Sequence, residues 1–235
     1  MSLFPIYASF GYFPTSFLRP YQILMLLKVL PVGLLSVNCS IVVDEESGEA
    51  LVVDPGADPQ RIIKELEPFE LVGIIATHGH IDHVGQVKTL KENFNAPFYM
   101  HPADKFLLSN PLWPGFERQI GANFPCPDPD VELKDGMEIR LGKSKLKVIH
   151  TPGHTPGLCC LYSEEDKTLI AGDLLFKGGV GRWDLPGGSL EDLRRSLKRI
   201  FSELEDDVLV ITGHYEETTI GQERLFNPYL RSLFV

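Results

Sequence analysis

The sequence predicts an α/β domain built from two sheets with helices outside them. Three observations carry that reading. Short β-rich runs alternate with amphipathic helical patterns from Met25 almost to the C-terminus. No fixed-period repeat and no linker divides the chain. Histidines and aspartates gather just after the apolar runs, beside glycines, which is where open α/β sheets place their chemistry.

The elements follow in order. "MLLKVLPVG", beginning at Met25, reads as a first strand, and residues 25–235 as one domain. "CSIVVD" and "ALVVDPG" are two further strands around the turn "EESGE". Asp58 and Pro59 stand where an N-cap and first helical residue belong, and Ile62, Ile63 and Leu66 give that helix an apolar face. "LVGIIATH" is a buried strand delivering a histidine cluster at its end. Val84, Val87, Leu90 and Phe94 mark a helix leading away, and "APFYMH" another strand. Residues 111 to 130, rich in Pro, Gly and Asn, read as a loop insertion of the kind that forms a flap. Strands near 131–133, 136–141 and 145–151 follow, then "LCCLYS" and "TLIAGDLLF". Ser189 caps a helix bearing Leu190, Leu193, Leu197 and Phe201. "VLVITGH" is the last strand, and a short helix begins near Thr219.

Residues 1–24 are different. They are apolar and aromatic, but Pro5, Pro14 and Pro20 interrupt them, and they contain one Arg and no acid. A secretory signal needs a basic start and an unbroken apolar stretch, and a membrane span needs about 20 uninterrupted apolar residues. This segment reads as an N-terminal arm upstream of the domain.

Bulk composition narrows the function. The 235 residues are 43% hydrophobic and 23% charged, which is ordinary for a globular protein. Net charge is −10, and no basic stripe is present to neutralise phosphates, so nucleic-acid binding is not expected. The four cysteines, Cys39, Cys126, Cys159 and Cys160, form no CxxC pair. Cys159 and Cys160 would point to opposite faces of a strand. They read as buried free thiols in a reducing compartment, and a cytoplasmic location is expected, without membrane association.

The stretch "THGHIDHVG" places His78, His80, Asp82 and His83 within six residues. Burying three imidazoles without partners would cost several kcal/mol, and charging them side by side would be repulsive. A metal ion resolves both. Imidazole and carboxylate are the ligands of zinc and similar first-row metals. Two histidines at i and i+2 after a strand can share one ion, while Asp82 and His83 can turn toward a second. His154 in "TPGHTPG", Asp173 in "AGDLLF" and His214 in "TGH" have the same strand-end setting. Five of the seven histidines are thereby accounted for.

These motifs, with "LVVDPG" before them and in this order, resemble the metallo-β-lactamase-fold hydrolases from about Leu27 to Leu230. Within that superfamily the chain is most similar to the glyoxalase II group, the hydroxyacylglutathione hydrolases. "GRWDLPGGS" and "TTIGQERLFNP" resemble the small, single-domain bacterial members. The resemblance implies an αββα sandwich of two mixed sheets. It implies that His78, His80 and His154 hold one divalent metal and that Asp82, His83 and His214 hold another. Asp173 would bridge the two, with Asp82 and Asp173 as catalytic carboxylates. Zinc is the first expectation, with iron and manganese as alternatives. Asp54 matches an aspartate that orients ligands from behind; a helix cap is its other reading. Arg182, in the glycine-rich loop after Asp173, could clamp a substrate carboxylate or pair with Asp184.

Three departures stand out. Only 21 residues follow His214, so the helical glutathione-binding domain of glyoxalase II is not expected. Gly79 stands where many glyoxalase II sequences have another histidine. "GHYEE" replaces "GHGP", so Tyr215 and Glu216 reshape the pocket rim.

The expected activity is hydrolysis of a small-molecule thioester such as S-hydroxyacylglutathione. A glutathione persulfide dioxygenase, with one iron on His78, His154 and Asp173, is the alternative within the superfamily. A metal-dependent RNA-processing nuclease is a further one, disfavoured by the charge. A complete ligand set argues against a non-catalytic binding module.

Overall fold

The computed structural model describes residues 25–109 and 115–233. The N-terminal arm expected over residues 1–24 lies outside the described residues.

Strand pairing produces two six-stranded sheets. The first runs β1 (Met25–Val32), β2 (Val37–Asp44), β3 (Glu49–Val53), β4 (Glu70–Ile75), β5 (Phe98–Met100) and β6 (Val131–Glu132), in spatial order of sequence. Its first three strands pair antiparallel, and β3 to β6 pair parallel. The second sheet contains β7 (Glu138–Leu141), β8 (Ser144–His150), β9 (Cys159–Ser163) and β10 (Thr168–Gly172). A small hairpin, β11 (Leu175–Phe176) and β12 (Gly179–Val180), lies outside it. β13 (Leu209–Thr212) and β14 (Thr218–Thr219) complete the second sheet, whose order is β14-β13-β10-β9-β8-β7. β10 and β13 are parallel.

The two-residue period of the strands explains the layers. In β3, Ala50 and Val52 join an outer core with Ile62 and Leu66 of α1 (Pro59–Leu66). Leu51 and Val53 face inward and meet Ile139, Leu141, Val148 and Leu161 of the second sheet. On the far side, Leu169 and Ala171 of β10 pack on a helix. The architecture is therefore the expected αββα sandwich of two mixed sheets. Each fully buried aliphatic side chain contributes about 1.5–3 kcal/mol, so the layer between the sheets and the two layers under the helices all stabilise the fold.

Local signals explain the helices, with two corrections. Asp58 occupies the N-cap of α1 but makes no cap bond; its backbone is left-handed, and its Oδ2 accepts from the Gly33 amide and pairs with Arg61. The helix read through Val84 to Phe94 is two helices, α2 (Ile81–Val84) and α3 (Val87–Phe94), broken at Gly85 and Gln86. The Gln86 amide donates to the Pro55 carbonyl, outside the helical ladder. The described part of the insertion holds α4 (Phe116–Gln119), and none of residues 115–130 lines the large pocket. It props α2 from behind: the Asn123 amide donates to the Gly85 carbonyl and Gln86 Nε2 to that of Gly121. Ser189 caps α5 (Leu190–Glu203), its hydroxyl accepting from the Asp192 amide. Leu193, Leu197, Ile200 and Phe201 cover the second sheet. α6 (Ile220–Phe226) and α7 (Pro228–Leu233) close the chain. Among the described residues no helix is long and apolar enough to cross a membrane.

All four cysteines are free and buried, with Cys159 in the inter-sheet layer and Cys160 in the outer one. Burial pushes the Cys126 and Cys160 thiols up to about 12, and Cys39 and Cys159 upward as well. A thiol reagent at pH 8 is expected to modify none of the four within minutes in the folded protein and all four in denaturant. Rapid labelling of even one in the native state would contradict this packing.

Candidate metal centre

Both sheets deliver polar side chains to one edge. β3 ends at Asp54, and β4 leads through Thr77 into the loop and helix bearing His78, His80, Asp82 and His83. β8, β10 and β13 lead to His154, Asp173 and His214. The two sheets are joined at this edge by Asn38, whose amide donates to the Gly213 carbonyl at 2.8 Å. Its side-chain nitrogen donates to the carbonyls of Thr212 and Tyr215, each at 2.9 Å. Nothing in the sequence pattern singles out this residue.

The seven ligand-type residues form one contiguous cluster. His80 Nδ1 lies 3.0 Å from His78 Nε2 and 2.9 Å from His154 Nε2. Next to this triangle, His83 Nε2 is 3.3 Å from His214 Nε2 and 3.7 Å from Asp82 Oδ2. Asp173 stands between: Oδ1 is 3.5 Å from His83 Nε2, and Oδ2 is 3.4 Å from His154 Nε2 and 3.6 Å from that of His214. Three overlapping sets could each hold an ion: His78–His80–His154, His78–His83–Asp173 and Asp82–His83–His214.

Hydrogen bonds behind the rings decide which nitrogens face the centre. His154 Nδ1 donates to the Arg182 carbonyl at 2.7 Å, and His214 Nδ1 to that of Leu35 at 3.0 Å. Asp54 Oδ2 accepts from Thr77 Oγ1 at 2.8 Å and pairs with His83 Nδ1 at 3.0 Å; Thr77 Oγ1 in turn lies 3.1 Å from His78 Nδ1. With Nδ1 of His78, His154 and His214 used as donors and Nδ1 of His83 ion-paired with Asp54, the Nε2 of all four keeps its lone pair for the centre, the arrangement metal-ligating histidines show. Asp54 thus sits behind two ligands and caps no helix.

Several buried nitrogen and oxygen atoms converge at distances that a shared metal cation would satisfy. Asp173 Oδ1, facing His83 Nε2, is buried without a hydrogen-bond partner. Without an ion the histidines disagree electrostatically. Burial, with the neighbouring rings, pushes His78 well down and His80 to about 3. Burial also acts to lower His83, but Asp54, Asp173 and Asp82 outweigh it and raise His83 to about 10. Neutral imidazoles on one side and carboxylates on the other form a donor set suited to two hard-to-borderline dications.

The cluster floors a cavity of about 490 Å³. Its walls are apolar: Leu35, Leu107, Phe176, Val180 and Leu185. Tyr215 stands at the rim, 77% exposed, on a left-handed backbone. Arg182 also reaches the pocket, with Nε and Nη2 bound to Asp184 at 2.9 and 3.0 Å. Glu216 pairs with Lys177 outside the pocket.

The profile of the metallo-β-lactamase superfamily matches residues 32–214. The chain belongs to that superfamily. Among its relatives, an uncharacterized protein of Aquifex aeolicus is 62% identical over 209 residues, covering 89% of this chain and 99% of its own. The hydroxyacylglutathione hydrolase GloC of Haemophilus influenzae is 36% identical, covering 88% and 99%. Two crystal structures superpose closely. BLEG-1 B3 metallo-β-lactamase has a TM-score of 0.79 at 33% identity, covering 87% and 99% of the two chains. TTHA1623, crystallised in a di-iron-bound form, has 0.78 at 35%, covering 86% and 100%.

Proposed function

We propose that this protein is a dinuclear metal-dependent hydrolase of thioesters such as S-hydroxyacylglutathione. The observation that carries the reading is the position of Asp173 between two ligand sets, at the floor of a pocket with no serine or cysteine on its described walls. The 36% identity with a hydroxyacylglutathione hydrolase supports it.

His78, His80 and His154 would hold one ion and Asp82, His83 and His214 the other, with Asp173 between them. Bound there, two first-row cations supply a water acidic enough to ionise near neutral pH and positive charge for a carbonyl oxygen. The protein's own residues do the rest. The carbonyl of Arg182 and the Asp54–Thr77 pair hold the rings in place, so little reorganisation accompanies the reaction. The walls around Leu107, Phe176 and Leu185 exclude water and receive the apolar part of the substrate. A departing thiolate needs little help from an acid, because a thiol has a pKa of only about 8.5. This suits a site whose imidazoles are committed to metal. Tyr215, and the part of Arg182 not engaged by Asp184, are placed to meet the distal end of the substrate.

The chain also resembles the persulfide dioxygenases in two patterns, "GR-x-D" at Gly181–Asp184 and "E-R-x-x-N-P" at Glu223–Pro228. Much of the second pattern serves as a brace. Glu223 accepts from the Gly178 amide, Thr218 Oγ1 and Asn227 Nδ2, and Asn227 Nδ2 also reaches the Gly179 carbonyl. These bonds hold the β11–β12 hairpin against α6 and lend the dioxygenase no chemical support.

The test is elemental analysis of gently purified protein beside two assays: thioester hydrolysis, and oxygen uptake with glutathione persulfide. About two metal ions per chain with hydrolysis are expected. One iron with oxygen uptake would replace this reading with the dioxygenase.

A further inference from the structure

Asp104 has no part in the ligand set, yet it is completely buried within reach of it. It lies in the 3-10 helix Pro102–Leu107, which follows β5. Oδ2 accepts from the Gly79 amide at 2.9 Å and from Thr155 Oγ1 at 2.7 Å. Oδ1 accepts from the Gly157 amide at 2.6 Å. Gly79 separates His78 from His80, and Thr155 follows His154 directly. One carboxylate therefore ties together the two loops, from different sheets, that carry these three rings.

The glycines fit this role. A Cβ on Gly157 would lie 2.6 Å from both Cγ and Oδ1 of Asp104. A Cβ on Gly79 would lie 2.9 Å from the Asp104 carbonyl oxygen and 3.0 Å from its Cβ. A side chain at Gly157 would meet the carboxylate itself, and one at Gly79 would press on the backbone and Cβ of Asp104, so glycine lets both loops approach this residue closely.

We propose that Asp104 is the positioning residue of the His78–His80–His154 site: it sets the spacing of that triangle across the two sheets before an ion arrives. Asp82, His83 and His214 are held by other groups, Asp54 and the Leu35 carbonyl among them. Asp104 acts on one site of the two. This inference rests on the metal centre and not on the identity of the substrate.

The experiment is zinc binding to metal-free protein, read by competition with a chromophoric chelator. It is run in two backgrounds, His214→Ala, which leaves the first site, and His80→Ala, which leaves the second. Asp104→Asn puts an amide nitrogen against an N–H donor and breaks the clamp at one end. It is expected to weaken zinc about 10–100-fold in the His214→Ala background, the usual effect of losing a group behind a ligand, and less than about 3-fold in the His80→Ala background. Thr155→Val removes a single bond at nearly constant volume and should give the same selectivity with a smaller change. It decides the matter if Asp104→Asn does not fold. A residue that merely supports the fold would weaken both backgrounds alike. Equal weakening in the two, or unchanged binding in the His214→Ala background, overturns the proposal. Thioester turnover does not enter the readout, so the substrate assignment can fail without touching it.

Discussion

Asp173→Asn is expected to lower thioester turnover by at least ~10²-fold, the scale on which enzymes respond to losing a key electrostatic group. The reason is location. The carboxylate touches both ligand sets: Oδ2 lies near His154 of one and His214 of the other, and Oδ1 near His83. Asparagine keeps the shape, but its amide nitrogen has no lone pair to offer a cation. The charge shared by both sets is lost, and one set loses its donor. His214→Ala is expected to cost less, because His214 borders the open pocket, where water can take over its place. The comparison is turnover and metal content of the two variants beside wild type. Near wild-type turnover with two ions bound in Asp173→Asn would rule out the proposed bridging role of Asp173.

The second large effect is expected at Asp54. Asp54→Asn should weaken metal binding about 10–100-fold and lower the stability of the metal-free protein by about 1–3 kcal/mol. Asn is the informative choice, because Asp54 has φ 55 and Asn tolerates the left-handed region better than Ala. The bond from the Thr77 amide to Oδ1, at 2.7 Å, can survive, whereas the charge facing Thr77 Oγ1 and His83 Nδ1 cannot. A pH signature accompanies this. In the folded, metal-free protein His83 is raised from 6.5 to about 10, burial being outweighed by Asp54, Asp173 and Asp82. Its contribution to stability is complete below about pH 6.5 and is lost as pH rises toward 10, since over that window the folded chain holds a proton the unfolded chain has released. Thermal unfolding of metal-free protein between pH 7 and 10 should therefore show a melting temperature falling with pH, and a shallower fall in Asp54→Asn. An equal slope in the two proteins would mean that Asp54 does not hold the charge on His83.

Much of the fold was legible because its determinants are local. Alternating apolar residues mark strands and Pro, Gly and Ser mark their ends, so β2, β3, β9, β10 and β13 were readable one by one. The misreadings came where a local signal had a distant competitor. Asp58 has the residue type of a cap, but the Gly33 amide and Arg61 take its side chain. The apolar spacing from Val84 to Phe94 is continuous, yet the Pro55 carbonyl claims the Gln86 amide and divides the helix. The described part of the expected insertion faces the back of α2, where the Asn123 amide satisfies the Gly85 carbonyl at the helix end.

The sequence by itself determined which residues are available for metal chemistry. Histidines and aspartates that follow apolar strands beside glycines have few other uses, and strand direction alone sends them to one edge. How they are used was decided only by tertiary structure. His80 and His154 meet across 74 residues, and His83 and His214 across 131. Which nitrogen each ring offers depends on the carbonyls of Leu35 and Arg182, whose side chains are irrelevant to that task. The guanidinium of Arg182, read as a clamp for substrate or a partner for Asp184, turned to Asp184, while its carbonyl acquired the structural role. Asn38 and Asp104 carried no signal at all, because a buried amide or carboxylate is recognisable only by the donors and acceptors that surround it. Those partners come from a second sheet whose register against the first is set by side-chain packing between the layers, which has no periodicity along the chain to read.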